Sequence, residues 1–569
     1  MMKWWGWGDP KFVFPMEEKA DLWPWIQKTL DLREDAPAKP VDRRLIRLRL
    51  PSFNDGFMRA IAKFLRPEQV SADEDQRLLH SYGKSYPDLF NVRRGLVRRA
   101  PDLILFPEGH AEVEELVRLA HAHGVAMIPF GGGTNISGCV NPVETGRMIV
   151  SLDMSRMNRL LSLDPYSNTA VIEAGALGPK LEKDLSARGY SLGHCPDSFE
   201  YSSLGGWIAT RSAGMQSDSY GKIEDMVVSL KFVTPSGTLQ TRTVPASSAG
   251  PDLNRLVLGS EGTLGVITEA TMRVHPAPAF KDYRGILFPS FELGTSAIHD
   301  CIAADRLPSM VRLQDEFETE LAFHMKTPPR GLKGFIQRQF KKVLKARGYS
   351  RPAIMVVGFE GDRKLVERTR RDVLAIFRRR RGFNLGTDVG RTWAQDKFNL
   401  PYLRDAVMDR SVMVDVAEPA PTWSNLLNLH RRVTEGIRER FVAEGTPGFI
   451  GCHISHTYPT GCCLYFTYAC RQLPGRELEQ YYGYKKMITE LLMKNGATLT
   501  HHHAVGTEHR PWLGEEVSET GLQALRALKA SLDPKGILNP GKLIPAADRW
   551  SGWGPGAAAP QEESTAATV

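Results

Sequence analysis

At 569 residues, 42% of them hydrophobic and 24% charged, the chain is too long for one core and ordinary in composition for a globular protein of two or three domains. A formal net charge of +8 without a run of like charge argues against a nucleic-acid arm and leans toward an anionic ligand or membrane surface. Seven scattered cysteines with no C-x-x-C pair (Cys139, Cys195, Cys301, Cys452, Cys462, Cys463, Cys470) argue for a reducing compartment and against a disulfide framework or zinc site. The opening residues lack an apolar core of signal-peptide length, and no run of ~18 apolar residues occurs, so a cytoplasmic protein without a spanning segment is expected.

The first 50 residues, rich in Trp, Pro and charge, read as an extended arm lying on another surface, with a weak helical stretch at 24–32. Helices are predicted over 55–64 and near 73–79. A regular unit follows: strand 102–106, helix 111–123, strand 125–130. In that helix Val113, Leu116, Val117 and Ala120 recur at i, i+3, i+4, i+7. The second strand drives into Pro129-Phe130-Gly131-Gly132-Gly133-Thr134-Asn135-Ile136-Ser137-Gly138. Three consecutive glycines free the backbone for positive φ and remove every Cβ that would hold a ligand away. Successive N–H groups in such a turn converge on an anion such as a pyrophosphate. A dinucleotide fingerprint would open a helix here, and a P-loop would continue with Gly-Lys-Ser/Thr; Asn141-Pro142 and another strand-like run follow instead. A glycine-rich surface turn is the alternative.

A strand-like run at 170–173 and a helix starting at Pro179 lead to a long loop, 194–227. It carries His194-Cys195-Pro196-Asp197-Ser198 and Ser202-Ser203-Leu204-Gly205-Gly206-Trp207, with Ser202 or Ser203 capping a short helix. Strands 228–234 and 238–243 form a hairpin, and Gly259-Ser260-Glu261-Gly262-Thr263-Leu264-Gly265-Val266-Ile267 makes a third glycine-punctuated loop. Three such loops within one block of domain size suit a long, phosphate-bearing cofactor. From Pro276 the chain turns strand-rich (285–288, 354–359), with helices on one side of a separate sheet. Residues 330–346 place Leu332, Phe335, Ile336, Phe340, Val343 and Leu344 on one helical stripe and Lys333, Arg338, Lys341, Lys342 and Lys345 opposite. That is an ordinary amphipathic surface helix or a basic helix touching an anionic membrane. In Leu464-Tyr465-Phe466-Thr467 the alternation is strand-like, with the hydroxyls on one face. A helix over 482–494 precedes His501-His502-His503, 521–531 is helical, and everything after Ala546 reads as disordered.

The set Gly131-Gly132-Gly133-Thr134, Pro196-Asp197-Ser198, Gly205-Gly206-Trp207 and Gly259 to Gly265 resembles the FAD-binding half of the vanillyl-alcohol-oxidase-type flavoproteins. The resemblance implies an α+β fold: a two-subdomain FAD-binding domain over 97–277 and an α+β cap with an antiparallel sheet over 278–500. An N-terminal arm and helices (1–96), a segment returning to the flavin (501–546) and a disordered tail (547–569) complete it. The FAD-binding residues it implies are Pro129, Gly131, Gly132, Gly133, Thr134, Asn135, Ser137, Gly138, His194, Pro196, Asp197, Ser198, Ser202, Ser203, Gly205, Gly206, Trp207, Glu261, Gly262, Gly265, Val266 and Ile267. The first loop offers no His, so FAD is expected without a covalent link.

The opening Met2-Lys3-Trp4-Trp5-Gly6-Trp7, Gly193-His194-Cys195-Pro196-Asp197-Ser198, Val311-Arg312-Leu313, Phe359-Glu360-Gly361-Asp362-Arg363, Leu464-Tyr465-Phe466 and the His triplet narrow the likeness. Over residues 2–544 the chain resembles the alkyldihydroxyacetonephosphate synthase family. That implies an FAD-dependent alkyl transferase that exchanges the acyl group of acyl-dihydroxyacetone phosphate for a fatty alcohol, without net redox. By the same resemblance Tyr465 is the base for the substrate's C1 proton, its phenol of pKa ~10 helped by His501, His502 and His503. Arg312 faces phosphate or flavin, and Arg510 holds the phosphate. No metal is expected, although three adjacent His also read as a metal tract or solvated loop, and Arg312 as a surface ion pair. A lipid substrate, no nucleic acid, a homodimer and peripheral membrane contact through 330–346 are the expected partners. Residues 82–88 depart from a His-containing stretch of the animal enzymes, and no peroxisomal signal is evident. Two readings compete. One is a flavin dehydrogenase or oxidase of 2-hydroxy acids, whose metal-binding His-x-Gly-Asp-Gly-Asn is here His453-Ile454-Ser455-His456-Thr457-Tyr458. The other is a lipid-surface protein holding FAD without turnover.

Overall fold

The computed structural model describes residues 2–32, 38–326 and 331–558, with the side chains of 332–334, 336–338, 340, 557 and 558 outside that description. Strand Leu103–Leu105, helix His110–His123 and strand Ala126–Phe130 follow one another as the periodicity predicts. Both strands run parallel to Ile149–Asp153 in a four-stranded sheet. The helix buries its Val113, Leu116, Val117 and Ala120 stripe against that sheet and ends on Gly124, whose φ of 69° makes a left-handed cap. The glycine loop leaves the C-terminal end of the second strand.

A five-stranded antiparallel sheet forms the second subdomain, in the order Leu160–Asp164, Thr169–Glu173, Val266–Arg273, Val227–Thr234, Gly237–Gln240. Leu160–Asp164 is an edge strand that no prediction marked, because its side chains are exposed or half-buried and carry no apolar alternation. Ser203 caps helix Leu204–Thr210 by accepting the Gly206 N–H, while the Ser202 hydroxyl accepts the Trp207 indole N–H at 2.7 Å.

The cap is a seven-stranded antiparallel sheet. Its central strands Ala353–Gly361, Met310–Gln314, Gly448–Tyr458 and Gly461–Arg471 are flanked by Phe280–Phe288 and Phe383–Asn384 on one side and Val412–Ala417 on the other. Along Gly461–Arg471 the predicted alternation holds. Leu464, Phe466, Tyr468 and Cys470 join the core under helices Leu426–Glu444 and Glu477–Lys494, and Tyr465, Thr467 and Ala469 turn to a cavity. Shorter helices, Leu22–Leu30, Glu316–His324 and Leu400–Met408, cover that second face. The N-terminal arm lies on the cap: Trp7, Phe14, Leu22, Ile26 and Leu30 bury against Tyr402, Val407 and Phe449.

One expectation changes. The segment after Ala546 is structured through 558: Trp550 and Trp553 stand edge-on to Trp512 at 5.1 and 5.3 Å, and the Trp553 indole donates to Glu508 O. Spaced tryptophans among Gly and Ala carry no periodic signal; 559–569 lie outside the described residues. Residues Gly331–Ala346 do form a helix, with Phe335 and Val343 51% and 49% exposed and Leu344 buried; Leu332, Lys333, Ile336, Arg338 and Phe340 fall on side chains outside the description. Among the described residues no helix is long and apolar enough to cross a membrane.

Candidate active site

A cavity of about 420 Å³ opens between the two subdomains and the cap sheet. Residues 129–136, 196–198, Ser202, Ser203, 205–207, Glu261, Gly262 and 265–267 line one part of it. Among the described residues no acceptor takes the main-chain N–H of Gly132, Gly133 or Thr134, so a nest of free donors faces the cavity. A Cβ on Gly131 would stand 2.2 Å from Ser203 Oγ, and one on Gly132 1.5 Å from Tyr201 O. Glycine is therefore demanded by loop-on-loop contact as well as by ligand approach. Glu261, held at φ 53°, accepts the Val505 and Gly506 N–H groups at 2.7 and 2.8 Å. The donor nest, the bare glycine surface and the Trp207, Val266 and Ile267 wall fit a flavin dinucleotide.

Three expected cofactor residues do not line the cavity. Ser137 donates to His503 O at 2.8 Å, beside an Asn135 bond to the same oxygen at 3.1 Å, and Gly138 lies against Thr507. Both tie the glycine loop to the triplet segment. His194 is buried behind Trp207 at 4.8 Å, its Nε2 3.1 Å from Ser212 Oγ, and burial pushes its imidazole down to about 3, so it stays neutral.

The opposite wall belongs to the cap. The Tyr465 ring projects into the cavity, and its hydroxyl has no described hydrogen-bond partner. Burial, then the charges of Asp197 and Glu418, push its pKa well up, against a downward pull from Arg312. His453 stacks on the phenol at 4.8 Å and 19°, and the His502 and His503 rings stand 6.1 and 5.5 Å away. The triplet is a tight turn. All three imidazoles are pushed well below their ordinary value, first by burial; Lys222 and His456 add to this at His501 and His502, and His502 and Lys485 at His503. Of the two kinds of help expected from the triplet, cationic or hydrogen-bonding, lowered imidazole values favour the second. His501 sits behind the wall, its Nε2 on the Tyr458 hydroxyl and its Nδ1 2.9 Å from His502 Nδ1. Glu418, Cys463, His501 and His502 bring ligand-type atoms within 4.8 Å of one another, but the carboxylate already accepts main-chain N–H groups from the triplet.

Arg312 lines the cavity, 3.5 Å from Glu318 and 3.4 Å from His453, with Glu318 in turn 2.8 Å from His453 Nδ1. It is a buried cluster, not a surface ion pair. Arg510 does not reach the cavity; its guanidinium donates to Gly541 O and Ser551 O and clamps the C-terminal segment, which removes it as the phosphate ligand. Two cations that sequence reasoning missed do line the cavity. Burial lowers the Lys84 ammonium to about 8, and its Nζ donates only to Lys3 O. Arg404 donates to Lys84 O, while its Nε and Nη2 are buried without a hydrogen-bond partner. The departure noted at 82–88 was the one sequence signal for Lys84, and Arg404 had none.

Residues 101–243 match the model of an FAD binding domain and 277–543 that of the FAD linked oxidases, C-terminal domain. The chain is 41% identical to alkyldihydroxyacetonephosphate synthase of Dictyostelium discoideum, over 96% of this chain and 93% of that protein. Its counterpart from Trypanosoma brucei brucei is 37% identical over 96% and 92%. A solved structure of alkyldihydroxyacetonephosphate synthase superposes with a TM-score of 0.83 at 39% identity, covering 95% of this chain and 98% of that one. With its FAD-binding domain, its cap and its cavity between them, the chain belongs to the alkyldihydroxyacetonephosphate synthase family.

Proposed function

We propose that this protein exchanges the acyl group of acyl-dihydroxyacetone phosphate for a fatty alcohol, giving an ether lipid precursor without net redox, on FAD held without a covalent link. The observation that carries the reading is the juxtaposition in one cavity of Tyr465, the neutral His502 and His503, buried cations and a long apolar arm. Trp25, Ile26, Leu30, Leu321, Val407 and Phe449 line that arm, and a fatty chain suits it. FAD, when bound, supplies an electron-accepting ring beside the substrate carbon. Tyr465 takes the C1 proton while His502 or His503 accepts the phenol's own proton, because a phenol of raised pKa is protonated at rest. The ester C–O bond breaks with loss of a carboxylate, the ether C–O bond forms, and the alcohol's proton is the one released overall. Lys84 and Arg404 hold the substrate phosphate: Arg404 Nε and Nη2 are buried without a hydrogen bond, with Asp405 no nearer than 3.8 Å, and a phosphate supplies the missing acceptors.

Tyr465→Phe is expected to lower kcat by ~10²–10⁴-fold with FAD retained; normal turnover would remove Tyr465 as the base. The site geometry counts against the 2-hydroxy-acid dehydrogenase, because His453 is engaged by Glu318 and His456 by Ser217 instead of forming an open metal pair. We also propose that helix Gly331–Ala346 touches an anionic membrane: exposed Phe335 and Val343 lie among exposed Lys341, Lys342 and Lys345, and the preceding helix supplies Leu321 to the apolar arm. Deleting 330–346 should abolish binding to anionic liposomes while FAD content is kept; unchanged binding would reject the contact.

A further inference from the structure

Glu418 follows strand Val412–Ala417 and is 3% exposed. Its carboxylate gathers four donors from the triplet turn. One oxygen accepts the main-chain N–H of His501 and, at 3.0 Å, that of His502; the other accepts the His503 N–H at 3.2 Å and the Thr500 hydroxyl. The same oxygens stand 3.5 Å from Nδ1 of His502 and Nδ1 of His503. One side chain therefore sets the main chain of three consecutive residues and reaches the inner nitrogen of the two imidazoles that line the cavity.

The other groups around it are few. Cys463, on the adjacent strand, lies 3.9 Å from the Glu418 main-chain oxygen. Lys222 donates to His501 O at 3.1 Å. Lys485 shares a small cavity with Glu418 and His503 but is engaged by Asp415 at 2.6 Å and Glu508 at 3.4 Å. Lys222 also feels the Glu418 charge but is paired with Glu224 at 3.6 Å; among the described residues the carboxylate's hydrogen bonds go to the turn itself, with the two rings 3.5 Å away.

We propose that Glu418 is the positioning residue for proton transfer: it fixes the 500–503 turn and faces Nδ1 of His503, leaving Nε2 of that ring to accept the Tyr465 proton, while Nδ1 of His502 is held by His501 at 2.9 Å. This rests on the reading of Tyr465 as the base. A carboxylate that orients an imidazole and stabilises the cation formed on it has the logic of an acid–histidine–nucleophile triad, here applied to a phenol. The proton balance closes: the C1 proton moves to the Tyr465 oxygen, the phenol proton moves to Nε2, and both steps reverse when carbon regains its proton. Burial raises the Glu418 carboxyl to about 7, against the pull of its four donors. Its loss of charge below that value withdraws support from the imidazolium, and activity falls on the acid side.

The test uses the FAD-loaded enzyme, full chain. Glu418→Gln keeps the size but turns an N–H₂ toward the turn's donors. The expected result is a kcat lower by about tenfold or more, a KM for acyl-dihydroxyacetone phosphate within about twofold, unchanged FAD content, and loss of the acid limb near neutrality. Thr500→Val removes one hydroxyl donor from the carboxylate and should move the acid limb of kcat/KM upward by roughly half a pH unit or more. Wild-type kcat and pH profile in Glu418→Gln would overturn the proposal. So would a Glu418→Gln protein that cannot hold FAD alongside a Thr500→Val protein with the wild-type profile. Tyr465→Phe separates the levels: if it turns over normally, the base reading itself fails; if it is inactive while both other variants match wild type, only the role of Glu418 fails.

Discussion

Arg404 carries two guanidinium nitrogens buried without a hydrogen-bond partner, next to an ammonium on Lys84 that burial already discourages from holding charge. A charge-assisted hydrogen bond to such a group is worth ~1.5–3 kcal/mol, so Arg404→Leu should raise KM for the phosphorylated substrate by ~10–100-fold. Steady-state kinetics against the dephosphorylated ketone check it; an equal rise for both substrates would take the phosphate away from Arg404. At Gly132 the expected effect is on the cofactor. Gly132→Ala drives a Cβ to 1.5 Å from Tyr201 O, and the loops must part, so the purified protein should lose its yellow colour; full visible absorbance would contradict this. Tyr465 was legible because a strand alternation and a family motif both marked it, and Arg312 because a family motif did. Lys84 and Arg404 were not, since they meet across 320 positions and no local pattern relates them. Arg510 misled for the converse reason: it is near the triplet in sequence, but its two terminal nitrogens donate to main-chain oxygens of the C-terminal segment, away from the cavity.

Between elements, the short helix Ser217–Tyr220 clasps the cap. Asp218 accepts the Thr457 N–H and hydroxyl at 2.8 and 2.7 Å and the Val311 N–H at 2.9 Å, and so holds the strands that carry Arg312 and His453. Burial outweighs these donors and raises the carboxyl to about 7. A carboxyl whose folded value lies above its unfolded value of ~3.9 binds more protons when folded, so its contribution to stability is full below about pH 4 and is lost as pH rises through about 7. Asp218→Asn removes that slope. Urea midpoints should place the variant below wild type at pH 5 by about 1–3 kcal/mol, with the gap narrowing by pH 8; a gap independent of pH would show that Asp218 is ionised throughout. The sequence made helix His110–His123 and strand Ala126–Phe130 plain, since each buries a stripe at its own period, but it did not mark the long cap helices Arg363–Arg379 and Leu426–Glu444. It hid the edge strand Leu160–Asp164 and this clasp, which depend on what lies across the interface.

At the scale of the whole molecule, the chain ends reinforce the cavity. The N-terminal helix Leu22–Leu30 contributes Ile26 and Leu30 to the apolar arm, and the C-terminal Asn539 Nδ2 donates to Cys139 O and Glu261 O beneath the cofactor loops. Truncation after 546 removes Trp550 and Trp553 from Trp512 and should cost about 3 kcal/mol, read as a lower Tm. An unchanged Tm would make 547–558 a passive tail. The most direct test of the account is an anaerobic incubation of the purified flavoprotein with palmitoyl-dihydroxyacetone phosphate and hexadecanol, with products followed by mass spectrometry. The account predicts one ether product per palmitate released and fully oxidised flavin at the end, with no electron acceptor present. No ether product, together with flavin reduction by a 2-hydroxy acid that an added quinone reverses, would contradict it.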